Sequence, residues 1–188
     1  MLVLASESTY RKALLSRLGL PFRQAAHKVD EAGYAEKPRE RVAVLALAKA
    51  RSLRKEFPDA TIIGSDQLAE LAGEALGKPG NRDAARNQLR MLSGRTHFLY
   101  TAVAVVSAHR PPAQAMVVHR MAMRELSDDE IERYLDAENT LDCAGSYKIE
   151  GLGISLFDAI AGDDMTAIEG LPLLTLAGML REAGYHVP

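Results

Sequence analysis

The segment Ser8-Thr-Tyr-Arg-Lys12 places a hydroxyl side chain just before two cationic ones, where a short apolar segment ends. If a helix begins there, its first backbone N–H groups are unpaired and its dipole is positive, so the segment suits an anion such as a phosphate. The same residues also suit an ordinary N-cap followed by solvated basic side chains. The segment is not a Walker loop, because the glycines of that motif are missing.

One lysine, Lys49, interrupts an otherwise apolar stretch over residues 42–50. Helical spacing places it on one face with Val42, Ala46 and Leu53. A lysine on a buried face needs an anionic partner, unless its chain extends to water at the edge of the core. Both alternatives remain open at this point.

Two acidic positions follow predicted strands. Asp66 ends the β-branched run Thr61-Ile-Ile-Gly-Ser-Asp66, and Asp30-Glu31 follows the second predicted strand. Ligands of α/β sheets bind beyond the carboxyl ends of strands, so these carboxylates are placed for metal binding or for proton transfer. Two carboxylates from separate loops suit Mg²⁺ or Mn²⁺ held jointly with phosphates. Asp66 could equally be a residue that forms a turn.

The other reactive side chains give weaker signals. Lys78 lies in the restricted loop Leu76–Gly80, although a single loop lysine usually faces solvent. Cys143 is the only cysteine, so a disulfide within the chain and a zinc site built on several cysteines are both excluded. The histidines lack metal-ligand spacing and are predicted to be structural or on the surface; they are His27, His97, His109, His119 and His186.

These residues are distributed over alternating strands and helices. Apolar and β-branched runs predict strands over residues 2–5, 22–26, 61–66, 96–108 and 115–123. Amphipathic spacing and capping signals predict helices over residues 9–18, 38–56, 81–92, 127–137 and 171–183. We therefore predict one mixed α/β domain over residues 1–188.

Composition narrows the class of protein. The hydrophobic fraction of 47% with 26% charged residues is that of a globular protein. The net charge of −2 argues against a nucleic-acid binder, although a few local cations can still hold a small polyanion. No run approaches the roughly 18 apolar residues of a membrane helix, and the first residues do not resemble a secretory signal. We therefore expect a cytoplasmic protein without membrane contact.

Eight short segments, in the same order, resemble the Maf family of nucleotide pyrophosphatases. They are Leu4-Ala-Ser-Glu-Ser8 with Arg11, Val29-Asp-Glu31, Leu47-Ala-Lys-Ala50, Ile63-Gly-Ser-Asp66, Gly77-Lys-Pro79, Leu92-Ser-Gly-Arg95 with His97 and Thr101, Ala144-Gly-Ser146, and Gly170-Leu-Pro-Leu173. The resemblance spans nearly the whole chain. It implies a mixed, twisted α/β sheet with flanking helices, in two lobes around a central cleft, similar to inosine triphosphatases. It also implies a cytoplasmic homodimer that uses a divalent cation and a nucleoside triphosphate.

The resemblance also implies roles for particular residues. Asp66 falls on the family's proton acceptor and, together with Glu31, on carboxylates of the metal site. The positions that bind phosphates in the family are Ser8, Arg11, Lys49 and Lys78, of which the two lysines are counted as catalytic. Lys12 stands where most members have Arg, which keeps the charge but loses the bidentate fork.

Three further positions resemble the branch of the family that hydrolyses 7-methyl-GTP to 7-methyl-GMP and diphosphate. That branch has Trp, Gln and Glu where this chain has Tyr10, Gln67 and Glu150, whereas the branch acting on dTTP and UTP has Arg, Thr and Gln. N7 methylation makes guanine a cation, which an aromatic face attracts by about 0.5–2 kcal/mol. A carboxylate can accept hydrogen bonds from guanine while offsetting that charge. Other nucleotides, and a non-catalytic nucleotide-binding regulator of cell division, remain the alternatives.

Overall fold

Strands and helices alternate in the computed structural model, which describes residues 1–31, 34 and 37–188. In these residues the strands are β1 Leu2–Ala5, β2 Phe22–Ala25, β3 Thr61–Leu71, β4 Glu74–Leu76, β5 Thr96–Val106, β6 Ala113–Met123 and β7 Phe157–Ala161. The helices are α1 Thr9–Ser16, α2 Pro38–Ser52, α3 Arg82–Leu92, α4 Asp128–Ala137 and α5 Leu173–Glu182. None of these helices has the length and apolar character needed to cross a membrane.

The strands form one seven-stranded sheet in the order β2-β1-β3-β5-β6-β7, with β4 paired to β3. β1 runs parallel to β2 and β3. The β3–β4 and β6–β7 pairs are antiparallel. The prediction of a mixed α/β sheet with flanking helices is therefore confirmed.

The chain divides into two compact units, as the expectation of two lobes requires. The first comprises Met1–Gln67, Thr101–Val117 and Asp164–Pro188, and the second comprises Leu68–Tyr100 and Val118–Asp163. The first unit contains β1, β2, α1, α2 and α5. The second contains β4, β7, α3 and α4, while β3, β5 and β6 contribute residues to both.

The alternation of side chains along β1 builds two apolar layers in the first unit. Leu2 and Leu4 belong to a buried cluster with residues of α1 and α5, whereas Val3 and Ala5 belong to a second cluster with residues of α2. Burying one leucine side chain contributes about 1.5–3 kcal/mol. The sheet of this unit is therefore covered by helices on both faces.

Helices α1, α3 and α4 begin directly after the N-cap residues that the sequence predicts. Ser8 accepts a hydrogen bond from the backbone N–H of Arg11, as predicted for the N-cap of α1. Asn81 caps α3 in the same way, and Ser127 with Glu130 forms the predicted capping box of α4. The expected end of α2 at residue 56 is wrong, because the helix stops at Ser52.

Two strands were missed in the sequence. β4 is joined to β3 by a two-residue turn in which Ala72 and Gly73 both have positive φ, at 54° and 90°. β7 follows a glycine-broken stretch whose pattern gives no strand signal.

Helices α3 and α4 are further joined by ion pairs of Glu132 with Arg82 and Arg86.

Candidate active site

Strand β3 distributes its side chains alternately to its two faces. Ile62 packs in the cluster that contains Ala50 and Leu53 at the C-terminal end of α2, so the same face carries Gly64 and Asp66. Ile63 packs in the opposite cluster, so that face carries Ser65 and Gln67. Asp66 therefore lies on the face of β3 that packs against α2, and Gln67 lies on the opposite face.

Gly64 allows α2 to approach β3 unusually closely. A Cβ atom at this position would lie 2.2 Å from the carbonyl oxygen of Ala46 and 2.7 Å from the backbone nitrogen of Ala50. Any other residue would push the helix away from the strand. The approach brings Lys49, which lies between these two alanines, onto Asp66.

Lys49 is buried and bonded to two carboxylates. Its Nζ lies 2.6 Å from Oδ1 of Asp66 and 2.7 Å from Oε1 of Glu31. Only 4% of Lys49 and 6% of Asp66 are exposed, whereas the Glu31 side chain remains 45% exposed. Of the two alternatives for this lysine, the one with anionic partners therefore holds.

His27 lies at the edge of this cluster, although it was expected to be structural or on the surface. Its Nε2 is 3.6 Å from Oε1 of Glu31. Burial and the nearby charge of Lys49 lower the pKa of His27, which favours the neutral imidazole. Burial raises the pKa of Glu31, but its hydrogen bond with Lys49 and the cations around it outweigh that effect and lower the pKa overall.

Arg11 belongs to the same cluster. Its Nε donates to the carbonyl oxygen of Gly170 at 3.0 Å and its Nη1 to Oγ of Ser6 at 3.4 Å. Burial lowers the pKa of the Arg11 guanidinium, whereas the nearby carboxylates of Asp66 and Glu31 raise it. An arginine remains charged in a protein, so the structure brings two cations and two carboxylates together.

The opposite face of β3 contacts the backbone that precedes α5. The Nε2 of Gln67 lies 2.8 Å from the carbonyl oxygen of Ala167, 2.9 Å from that of Ile168 and 3.0 Å from Oγ1 of Thr101. Backbone carbonyls only accept, so the nitrogen of the amide must face them. The side-chain oxygen of Gln67 therefore points away from this backbone as an acceptor.

Asp164, which the sequence analysis missed, fixes this backbone. Its side chain accepts hydrogen bonds from Thr166 Oγ1 at 2.6 Å and from the backbone N–H of Leu174 at 2.8 Å. Thr166 Oγ1 in turn accepts from the N–H of Leu173 at 2.8 Å. The sequence does show an acidic residue ahead of α5, but Asp164 lies farther from the first residue of the helix than an ordinary N-cap does.

The other predicted site residues of α1 are Tyr10 and Lys12. Tyr10 is half-buried and Lys12 is exposed, both in the first turn of α1. Glu169 forms an ion pair with Arg17 at 3.2 Å. Lys12 is thus exposed to water, whereas the Arg11 guanidinium is held by hydrogen bonds.

Two predicted site residues lie in the second unit. Lys78 is exposed in the loop between β4 and α3, and Glu150 is exposed in the turn before β7. The first unit brings together Arg11, Glu31, Lys49 and Asp66.

The carboxylates of the first unit fit a divalent cation. Within residues 1–31, 34 and 37–188 there is no group of three or more His, Cys, Asp or Glu side chains that could hold a metal ion. Mg²⁺ is commonly held by one or two carboxylates, with waters and substrate phosphates completing its shell. Glu31 and Asp66, which share one lysine partner, supply such a pair.

Comparison with known proteins gives matches over the full length. The chain is 52% identical over 188 residues to the 7-methyl-GTP pyrophosphatase of Xanthomonas axonopodis pv. citri, covering 100% of this chain and 98% of that protein. It is 51% identical to the protein of the same name from Aromatoleum aromaticum, covering 100% and 97%. The Ham1 protein of Staphylococcus aureus, a solved structure, is 15% identical with a TM-score of 0.49, covering 65% of this chain and 71% of that one. The family described as "Maf-like protein" matches residues 1–183, so this chain belongs to the Maf family.

Proposed function

We propose that this protein is a nucleoside triphosphate pyrophosphatase that hydrolyses 7-methyl-GTP to 7-methyl-GMP and diphosphate. The observation that carries the proposal is the buried Lys49 bonded to both Asp66 and Glu31, beside the anchored Arg11. Relatives about half identical over their whole length bear the name of that activity. The chemistry of the cluster and the names of the relatives point the same way.

The triphosphate carries about four negative charges, which the cations of the protein would neutralise in part. Ser8 begins α1, whose unpaired N–H groups and positive dipole end favour a phosphate. The Arg11 guanidinium is already oriented by Gly170 and Ser6, so little conformational freedom is lost when it binds. Lys78 and Lys12, both exposed, would add charge from flexible chains.

In the proposed reaction, Asp66 accepts a proton from the water that attacks the α-phosphorus in line. Lys49 holds the Asp66 carboxylate in one orientation through its 2.6 Å hydrogen bond. A bound Mg²⁺ or Mn²⁺, held by Asp66 and Glu31, would supply positive charge to the phosphate oxygens. As the phosphoanhydride bond breaks, Lys78 and Arg11 stabilise the charge that grows on the departing diphosphate.

Recognition of the base is assigned to Tyr10, Gln67 and Glu150. The Tyr10 ring would stack on the cationic 7-methylguanine, and the Glu150 carboxylate would accept its hydrogen bonds. The fixed amide of Gln67 offers its side-chain oxygen as a further acceptor. We also propose that the protein is a homodimer and works in the cytoplasm, and sedimentation of the purified protein tests the first of these.

The proposal is tested by measuring diphosphate release from 7-methyl-GTP, GTP, UTP and dTTP with Mg²⁺ or Mn²⁺ present. We expect 7-methyl-GTP to give the highest kcat/KM. The Glu150→Gln variant should lose about 10- to 100-fold on that substrate, as for a hydrogen bond between charged groups, and much less on GTP. Glu125→Gln, an exposed carboxylate of the same unit, serves as the matched control.

Each alternative has its own result. Equal rates on 7-methyl-GTP and GTP would remove the role given to Glu150 while keeping the reaction. Faster hydrolysis of UTP or dTTP would move the protein to the pyrimidine branch. Binding of nucleotide without release of diphosphate, with the metal present, would make the protein a nucleotide-binding regulator instead of an enzyme.

A further inference from the structure

We infer that Gln88 of α3 is a positioning residue that holds, with one amide, the two loops of the second unit that carry Lys78 and Glu150. This inference rests on the proposed function, which gives those two residues their roles. The sequence motifs do not include Gln88.

Both ends of the Gln88 amide are engaged. Its Nε2 donates to the carbonyl oxygen of Gly77 at 3.0 Å, and its Oε1 accepts from Oγ of Ser146 at 2.5 Å. A backbone carbonyl can only accept, so the nitrogen must face Gly77 and the oxygen must face Ser146. The orientation of the amide is therefore fixed, and a carboxylate could replace only one of its two functions.

The Ser146 contact stabilises an unusual turn. Gly145 has a φ of 75° and Ser146 a φ of 64°, a region that residues with a side chain rarely adopt. Such a conformation persists when its surroundings enforce it. Ser146 is fully buried, and its hydroxyl finds its acceptor in Gln88.

The turn leads directly to Glu150. Tyr147, the next residue, shares a hydrogen bond of 2.9 Å with Nε2 of His97. The backbone N–H of Lys148 donates to Tyr134 at 3.0 Å, and its carbonyl accepts from the N–H groups of Gly151 and Gly153. Glu150 therefore sits in a turn whose entry is fixed at Ser146.

The Gly77 contact acts on the other loop. Gly77 immediately precedes Lys78, and the loop is also held at its far end, where the N–H of Gly80 donates to the carbonyl of Leu141 at 3.0 Å. Gln88 supplies the hold on the near side of the lysine. Since one rigid helix residue fixes both loops, the spacing between the lysine that meets phosphate and the carboxylate that meets the base is set by α3.

Three variants separate the two contacts. Gln88→Met removes both while keeping the shape of the side chain. Gln88→Glu keeps an acceptor for Ser146 but places a carboxylate oxygen against the Gly77 carbonyl. Ser146→Gly removes the hydroxyl and accepts the positive φ without strain. Gln114→Met is the control, because exposed Gln114 makes no side-chain hydrogen bond within the described residues.

We expect Gln88→Glu to lower kcat roughly tenfold while the preference for 7-methyl-GTP over GTP stays as in the wild type. Ser146→Gly should lower that preference by a similar factor with kcat on GTP nearly unchanged. Gln88→Met should do both. Hydrogen exchange should rise in segments 77–80 and 145–151 in Gln88→Met, and only in the second in Ser146→Gly.

Unchanged exchange in either segment of Gln88→Met would overturn the inference, as would wild-type kcat and selectivity in that variant. Equal losses in kcat and selectivity in all three variants would also overturn it, because they would indicate a general loss of structure. If the wild-type protein releases no diphosphate from any nucleotide, the proposed function fails. The exchange data then decide alone whether Gln88 positions the two loops.

Discussion

Replacing Gly64 with alanine should separate α2 from β3, the two elements that carry Lys49 and Asp66. The added Cβ would lie 2.2 Å from the Ala46 carbonyl oxygen, whereas an ordinary C···O contact is about 3.3 Å or longer. The obstacle is backbone, so a change of side-chain rotamer cannot relieve it. Helix α2 must move away from β3 by about 1 Å.

That displacement falls on the Lys49–Asp66 hydrogen bond. Its length of 2.6 Å would grow to about 3.6 Å if the whole shift reached it, beyond the range of a hydrogen bond. A misplacement of about 1 Å at a catalytic group commonly lowers turnover about 100-fold. The clash itself should lower the free energy of unfolding by about 1–3 kcal/mol, as for an overpacked core.

The assay is kcat for diphosphate release, together with urea unfolding of the same preparations. Gly178→Ala is the matched control, because Gly178 lies in α5 and its nearest neighbour would be Arg181 Nη2 at 4.0 Å. That change should leave kcat unaltered and stabilise α5 by about 0.5–1 kcal/mol. If Gly64→Ala keeps kcat within about threefold of wild type, the close approach of α2 is not what positions Lys49.

Three other outcomes are expected. Asp66→Asn should abolish diphosphate release while the circular dichroism spectrum stays unchanged, and retention of most activity would show that Asp66 is not the proton acceptor. Asp164→Ala should lower the free energy of unfolding in urea by about 1–2 kcal/mol, because the start of α5 loses its acceptor; an unchanged midpoint would contradict this. Burial lowers the pKa of His97 to about 4, so the unfolded chain binds a proton first as the pH falls. The free energy of unfolding should be constant above about pH 6.5 and should decrease by roughly 3 kcal/mol toward pH 4. In urea titrations the His97→Phe variant should show a smaller decrease over that range.

Local signals in the sequence predicted most elements, because they depend on residues close in the chain. The Ser127–Glu130 capping box and the Asn81 cap are examples. The end of α2 was misplaced by four residues: the chain leaves the helix after Ser52 in a series of turns, while Leu53 and Phe57 pack into the core. The short strand β7 exists because β6 provides a partner, which no local pattern records.

The candidate site was likewise predictable where it depends on nearby residues and not where it depends on packing between distant segments. A buried lysine and an acidic residue in a β-branched run could be recognised in the sequence. Their pairing could not, because it depends on how closely α2 approaches β3, and the glycine that permits the approach gave no signal of its own within the predicted strand over residues 61–66. The prediction that Asp66 ends the strand is wrong, because β3 continues to Leu71. Asp164 was missed because its partners, at Leu174 and Thr175, lie about ten residues along the chain.

The charges of the cluster also predict how the protein depends on a divalent cation. Arg11 and Lys49 balance Glu31 and Asp66, while the lowered pKa of His27 keeps that side chain neutral near pH 7. A neutral set cannot by itself compensate about four charges on a triphosphate. In the proposed function, exposed lysines and the divalent cation would supply the remaining positive charge. Chelation with EDTA should therefore weaken nucleotide binding measured by calorimetry as well as abolish turnover, and restored Mg²⁺ or Mn²⁺ should recover both. If a chelated protein bound 7-methyl-GTP as tightly as before, the cation would not be part of the phosphate site, and the positive charge would have to come from the protein alone.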